Sequence, residues 1–419
     1  MKLKQIYAAL DIGSYDIKLV IGEFHNTRFN VIRVERVQTN GILNYKIVDI
    51  SAVSQAVMLA VKNVSDLLQV RIERVLLSIP AVNMNRVSQR ITVPILHDSK
   101  QIMIADIQNA MKLAQRSAVP AGMEIVNVVP VKYIVNGIST RRIPLQETCE
   151  VLYVDVDLLC ADRQSVYDYV RVVEKSGLEI LDIFMQPFAE AKEIAIFEQT
   201  VDHHVVYLNI GYQMTTASLF SQGRLVSSEL IGFGMEQINQ KISETFHISK
   251  ESADRLKQYN CRLMEEIQDD LPIYMWTKEQ KSYSLSESDL SAVIKESMID
   301  FLEQIYDYAS DILQTPKVKV IIGGGGGELM DLPELAATIW KVDVQSYVPE
   351  TLGARSSTLI TSLGLFYAYK DACEYTLSQK GSVDSLKFAE AILPKKPGEE
   401  EGFTGRLKNL LFNESERKK

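Results

Sequence analysis

Hydrophobic and polar positions follow three periods along this chain. Ala8–Leu10 and Ile17–Ile21 are near-continuous apolar runs on either side of the polar turn Asp11–Asp16, which predicts two buried strands and a tight hairpin. Arg28 to Arg36 alternates, with Phe29, Val31, Ile32 and Val34 apolar, and predicts a third strand. From Ile50 to Leu68 the apolar residues Val53, Val57, Ala60, Val61, Val64, Leu67 and Leu68 fall at helical spacing, with Asp49 or Ser51 as cap. Arg74–Ile79 is a short apolar strand closed by Pro80. This strand–strand–strand–helix–strand order is half of a layered α/β domain.

The pattern then changes. A strand (Arg86–Ile95), a helix (Lys100–Ser117) and two strands (Ile125–Val135, Glu150–Leu159) make a separate unit over residues 81–162. A helix (Ser165–Lys175, with Gly177 at its end), a strand (Ile180–Phe184) and a helix (Pro187–Phe197) follow. Val205–Phe220 then repeats the opening hairpin: Asn209 stands where Asp11 stood and Gly211 where Gly13 stood, and Arg224–Leu230 supplies the third strand. Two copies of one hairpin imply two related domains facing a common ligand.

Beyond the repeat, Gly232-Phe233-Gly234 precedes a helix near Met235. Ser249–Tyr283, polar and charged, reads as helical, and Ser286–Leu313 as a second long helix. Val318–Ile322 is a strand that empties into five glycines, Gly323–Gly327. Pro333–Trp340 reads as a helix, Val342–Val344 as a strand and Ser357–Tyr369 as the last helix. Residues 377–401, with Pro394, Pro397, Gly398 and the run Glu399–Glu401, have the composition of a disordered linker. In residues 402–419, Phe403, Leu407, Leu410 and Leu411 fall on one stripe flanked by Arg406 and Lys408, and five basic against two acidic residues leave a net +3. That describes an interfacial membrane helix; packing on a partner protein is the plainer alternative.

Composition narrows the classes. The 419 residues are 46% hydrophobic and 24% charged, ordinary for a globular protein. A net charge of −9 argues against nucleic acid as a partner. Cys149, Cys160, Cys261 and Cys373 form no C-x-x-C pair, so reduced thiols in a cytosolic protein are expected. No signal peptide and no membrane-span-length apolar run is read, so membrane contact is expected to be peripheral.

The candidate chemistry sits in the two hairpins and the glycine run. Gly13 and Ser14 offer backbone N–H groups and a hydroxyl in a turn too small to hide them, which suits a phosphate. Asp11 beside that phosphate is a natural seat for Mg²⁺. Gly323, Gly324 and Gly325 let a nucleotide lie against bare backbone; a flexible loop is the alternative. No P-loop signature and no dinucleotide fingerprint is present. His203-His204 reads as an exposed turn.

These parts in this order resemble the actin-like ATPase superfamily, and within it the FtsA family of bacterial division proteins. Asp11–Lys18 (D-I-G-S-x-x-I-K) is similar to its first phosphate motif, Asn209-Ile210-Gly211 with Thr215-Thr216 to its second, and Ile322–Gly326 to its adenosine motif. The stretch Asn127–Gly137 inside the 81–162 unit looks characteristic of the family. The resemblance implies a two-lobed fold of duplicated ribonuclease-H-like domains, with a strand-helix-strand-strand insert domain and a C-terminal amphipathic helix. On that pattern residues 1–80, completed by 163–185 and 355–376, form the first subdomain, and 81–162 the insert. Residues 186–240 and 314–354 form the second subdomain, 241–313 the region that docks the FtsZ C-terminal peptide, 377–401 a linker and 402–419 the membrane helix.

The resemblance also implies ATP with Mg²⁺. Asp11 would act through the metal, Gly13, Ser14 and Lys18 on the phosphates, and Asn209, Gly211 and Thr215 on the opposite wall. Gly232, Glu251, Lys257 and Gly323–Gly325 would serve the nucleotide, and Gln186 would be the candidate catalytic residue, orienting water. Phe403, Arg406, Leu407, Lys408, Leu410 and Leu411 would bind the membrane. Such proteins form filaments and tether the FtsZ ring, with other division proteins, to the cytoplasmic face of the cell membrane at the septum, where they are peripheral. The chain departs from the family in having Asn209, Tyr212 and Gln213 where D-I-G-G-G-T-T-D is usual, which implies at most a weak ATPase. It also keeps only Pro144 of the insert's P-x-G-M-x-G-x-R. The rival classes are a pilus-assembly scaffold with a similar insert, a small-molecule kinase of the same superfamily, and a chaperone of the DnaK kind, for which the chain after Lys370 is too short and polar.

Overall fold

The computed structural model describes residues 5–25, 28–264, 270–278, 280–377 and 380–384. The chain opens with β1 (Ile6–Ile12), β2 (Asp16–His25) and β3 (Arg28–Gln38), followed by the two-residue strands β4 (Ile42–Leu43) and β5 (Lys46–Ile47), α1 (Ile50–Leu68) and β6 (Arg74–Ile79). The insert follows with β7 (Asn85–Pro94), α2 (Ile104–Gln115), β8 (Met123–Val135), β9 (Ile138–Thr140) and β10 (Val151–Asp162). Next come α3 (Arg163–Lys175), β11 (Glu179–Met185), α4 (Gln186–Ile194) and the single turn α5 (Ile196–Gln199). The second hairpin and its third strand are β12 (His204–Ile210), β13 (Thr215–Ser221) and β14 (Arg224–Ile231), followed by α6 (Met235–Phe246) and α7 (Lys250–Asn260). Last are β15 (Pro272–Lys278), β16 (Lys281–Ser286), α8 (Glu287–Leu313), β17 (Val318–Gly323), α9 (Leu332–Trp340), β18 (Asp343–Ser346) and α10 (Ile360–Thr376).

The repeat is built into the sheets. The first runs β3-β2-β1-β6-β11 and the second β14-β13-β12-β17-β18, so each has an antiparallel hairpin at one side and parallel strands at the other. Every residue of β1 is buried, because helices cover both faces of a strand at the middle of a sheet. Separate apolar cores fill the two lobes and the insert. Helices α4 and α10 cross beneath the junction of the lobes. They pass so closely that a Cβ at Gly364 would collide with the Ala189 carbonyl.

The insert is a four-stranded sheet ordered β7-β10-β8-β9 with α2 on its apolar face. It differs from strand-helix-strand-strand by the short β9, which pairs with the end of β8 across the turn Asn136-Gly137. Two contacts seat it. Asn127 accepts the Met185 N–H at 2.9 Å and donates to the Ile183 carbonyl at 3.0 Å, which grips β11 just before α4 begins. Arg224 of the second lobe forms a forked ion pair with Asp157.

The expected polar helix Ser249–Tyr283 is wrong beyond Asn260. Residues 272–286 form the hairpin β15–β16 instead. Tyr274 and Trp276 alternate with Met275 and Thr277, and Tyr283 stands between Ser282 and Ser284, a period of two that suits a pleated ribbon. Tyr274–Trp276 and Trp276–Tyr283 stack at 5.6 Å between ring centres. The helix expected over Pro187–Phe197 is also broken, at Ala195, which takes a left-handed conformation. The linker expected over 377–401 is wrong at its start: Ser382 donates its N–H to the Ile6 carbonyl at 2.7 Å and accepts the Ala8 N–H on its hydroxyl at 2.8 Å, and Val383 bridges to Ile72, so this stretch packs on the first lobe. Residues 385–419 lie outside the described residues. Among the described residues, no helix is long and apolar enough to cross a membrane.

Candidate functional site

The ends of β1 and β12 point at each other across a cleft of about 360 Å³. Both hairpins close with the same four-residue turn. Gly13 N–H donates to the Asp16 carbonyl at 3.1 Å, and Gly211 N–H to the Met214 carbonyl at 3.0 Å. Glycine is needed at each because a Cβ would stand only 3.0 Å from the Asp16 oxygen or 2.8 Å from the Met214 oxygen. Asp11 lies opposite Lys18 in the first hairpin, and Asn209 lies opposite Thr216 in the second.

The first wall is ionic. Asp11 accepts from Ser78 at 2.9 Å and from Lys18 at 3.2 Å, and Lys18 also pairs with Asp16 at 3.0 Å. Arg36 completes the cluster at 3.5 Å from Asp16 and donates to Thr358. Burial works against the Lys18 ammonium, but the carboxylates of Asp11 and Asp16 outweigh it and hold its pKa above the ordinary lysine value. Lys18, expected on phosphates, is therefore held by two carboxylates at the rim of the cleft.

The second wall is made of amides and hydroxyls. Gln186, at the first turn of α4, and Glu190 one turn later lie on the same helix face. Glu190 is wholly buried and accepts from Gln186 at 3.0 Å, from Thr361 at 2.7 Å and from Asn209. Burial pushes its carboxyl up to about 8, with Asp11 adding to the effect and the three donors opposing it.

Lys257 and Asp254 stand at the far side. Lys257 bonds Asn239 at 2.7 Å and Asp254 at 2.9 Å. Burial lowers the Lys257 pKa against the pull of Asp254. The mouth between the turns is crossed by Tyr15 and Tyr212, whose ring centres are 4.9 Å apart, and the Tyr15 hydroxyl reaches Asp254 at 3.5 Å.

Of the residues expected here, Asp11, Gly13, Ser14, Lys18, Gln186, Asn209, Gly211, Lys257, Gly324 and Gly325 line the cleft. Four others stand apart from its lining. The Thr215 hydroxyl is buried and donates to the Phe233 carbonyl at 2.8 Å. Gly323 is a packing glycine, since a Cβ there would strike Tyr207 and Ile360. Gly232 has open space around it, and Glu251 lies exposed in the first turn of α7. The residues expected to bind membrane lie outside the described ones.

Sequence reasoning missed Glu190, Thr361, Tyr15, Tyr212 and Tyr45. Tyr45 sits at the tip of the β4–β5 hairpin beside Asn44, both with positive φ, as a two-residue turn requires. Its hydroxyl meets Thr216 at 3.2 Å, and the Asn44 N–H reaches Gln213 at 3.1 Å, so a first-lobe hairpin rests on the second-lobe turn. The sequence holds no alternation long enough to announce such a short hairpin.

Chemically, the cleft offers two glycine turns, the Asp11 carboxylate between them and a bare-backbone wall where Gly324 takes φ +74. Among the described residues, no cluster of three or more metal-ligating side chains is found. A single carboxylate beside a phosphate cradle suits Mg²⁺ that arrives with the phosphates, and not a metal held by protein alone. The arrangement is that of the actin-like class: two related lobes, one cleft, one hairpin from each lobe.

Comparison with known proteins agrees. A model of the type IV pilus assembly protein PilM matches residues 9–271, and a model of the cell division protein FtsA matches residues 206–364. FtsA of Bacillus subtilis is 26% identical over 375 residues, covering 87% of this chain and 83% of that protein. FtsA of Streptococcus pneumoniae is 23% identical over 386 residues, covering 91% and 84%. In fold, the chain matches the PilM–PilN type IV pilus biogenesis complex with a TM-score of 0.56 at 15% identity, covering 86% of this chain and 97% of that one. It matches MreB5 of Spiroplasma citri bound to ADP with a TM-score of 0.53 at 11% identity, covering 90% and 99%. The chain belongs to the family of the type IV pilus assembly protein PilM, among the actin-like proteins. Over most of its length it is also similar to the cell division protein FtsA.

Proposed function

We propose that this protein binds Mg-ATP between its two hairpins and tethers the FtsZ ring to the cytoplasmic face of the cell membrane at the septum, as a peripheral protein that forms filaments. The observation that carries the reading is the pair of matching glycine turns facing one cleft, in a chain similar to FtsA over most of its length. The two turns that Gly13 and Gly211 close would cradle the phosphates. Asp11 would hold Mg²⁺, which supplies neutralisation of the phosphate charge. Lys18 stands ready at the rim, and Gln186 would hold a water. Asn209 carries no charge with which to polarise that water, which favours assembly gated by nucleotide over fast hydrolysis.

Residues 241–313 are the proposed docking region for the FtsZ C-terminal peptide, and 402–419 the membrane helix, whose apolar stripe and +3 charge suit an anionic surface. Flotation with anionic vesicles tests the reading. The full chain is expected to float, with ATP and Mg²⁺ increasing the bound fraction, and a chain lacking Phe403–Lys419 is expected to stay in solution. Flotation unchanged by the deletion would end the membrane assignment.

A second reading has its own support. The PilM model spans residues 9–271, which favours a scaffold that binds a peptide of a membrane protein. The FtsZ C-terminal peptide separates the two: binding that is lost on altering the surface of residues 241–313 supports the tether, and no binding supports the scaffold.

A further inference from the structure

We propose that Glu190 is a positioning residue that fixes the amides of Asn209 and Gln186 with their oxygens facing the nucleotide cleft. The proposal rests on the reading of that cleft as a Mg-ATP site. Three donors from three elements converge on one atom, Glu190 Oε1: Gln186 Nε2 from α4, Asn209 Nδ2 from β12 and Thr361 Oγ1 from α10. Its other oxygen is buried and makes no hydrogen bond. Nothing in the cation cluster of the first wall reaches it.

The polarity of the second wall follows from this. Glu190 Oε1 accepts whether or not the group carries a proton, so both amides must turn their NH₂ groups toward it. Asn209 then directs Oδ1 at Gly324, where a Cβ would collide with it. Gln186, whose Nε2 is committed to Glu190, also lines the cleft, beside Tyr45. An amide oxygen repels a phosphate oxygen but accepts from water, including water on a metal ion. Glu190 therefore makes this wall a reader of the hydration shell of Mg²⁺. Asn209 with its amide turned this way presents one oxygen where Asp11 presents a carboxylate in the first hairpin. Outer partners that orient polar groups around a metal are worth about 10–100-fold in metal affinity.

The experiment measures the affinity of a fluorescent ATP analogue with Mg²⁺ and with EDTA, on the full chain. The ratio of the two affinities is the readout, because a defect that is only structural lowers both. Glu190→Leu keeps the bulk and removes the acceptor. It is expected to cut the Mg²⁺ ratio about tenfold. Glu190→Gln keeps an acceptor oxygen and is expected to stay within about threefold of the parent, by the same orienting argument. If Glu190→Leu fails to fold, Asn209→Asp serves instead. Facing Glu190 it sets two carboxyls together and should lose Mg²⁺ dependence, and Asn209→Asp with Glu190→Gln should regain it. An unchanged ratio in Glu190→Leu, or additive effects in the pair, would overturn the proposal. No binding by the parent chain would overturn the nucleotide reading itself.

Discussion

The two hairpins share a turn, a glycine and a place at the centre of a sheet, yet they present opposite chemistry to one cleft. At the end of β1, Asp11 lines the cleft and is answered by Lys18 at 3.2 Å. At the end of β12 stands the amide of Asn209, and the carboxyl of that wall is Glu190, buried and bonded to amides and a hydroxyl. The repeat thus keeps the glycine turn in both lobes and lets the charge beside it differ. The lesson is that the turn geometry and the carboxylate are separable parts of the site.

Breaking the ionic side should have the largest effect. Asp11→Ala leaves the buried Lys18 with Asp16 alone. Removing one partner of a buried ion pair costs about 3 kcal/mol. Loss of the Asp11 carboxylate should weaken Mg²⁺-dependent ATP binding on the order of 100-fold. Calorimetry with and without Mg²⁺ reads both, and unchanged binding would remove Asp11 from the site.

The neutral side should reveal itself through pH. Burial raises the Glu190 pKa to about 8 from an ordinary 4.5, so the folded chain keeps a proton that the unfolded chain has released. The stability it contributes is whole below about pH 4.5 and is lost as pH rises through 8. Glu193, raised to about 7, and Asp182, raised to about 6, act in the same sense but finish earlier. Between pH 7 and 8 the melting temperature of the parent should therefore fall more than that of Glu190→Gln. Each pKa unit is worth about 1.4 kcal/mol, which sets the size of the gap. Parallel curves would mean that Glu190 is already ionised.

Much of this contrast was readable in the residues. The apolar runs, the repeat and the Asp11/Asn209 difference all lie in short stretches where period and turn chemistry agree. Glu190 did not stand out, because within Gln186–Ala191 the resemblance gave the water-orienting role to Gln186. Its meaning comes from Thr361, which is 171 residues away in sequence and reaches it only after α10 crosses α4. Thr215 misled in the opposite direction. Its place beside the motif suggests a phosphate contact, but strand alternation turns its hydroxyl inward to Phe233. The 272–286 hairpin was masked by charge, since polar residues on an exposed two-stranded ribbon look like a solvated helix until the aromatic ladder is counted across strands.

The smallest expected effect concerns where the two hairpins meet. Tyr15 and Tyr212 occupy neighbouring places in the two turns, and their tilted rings close the mouth between the lobes. An aromatic pair of this kind is worth about 0.5–1.5 kcal/mol beyond its burial. Tyr212→Ala should lower stability by about 1 kcal/mol and quicken nucleotide exchange severalfold, because the pair must part for a phosphate to pass. Tyr15→Ala should do the same, and the double variant should add little to either single change, since each already removes the contact. Stopped-flow displacement of a fluorescent nucleotide measures it. Fully additive effects would show that the rings act on separate paths.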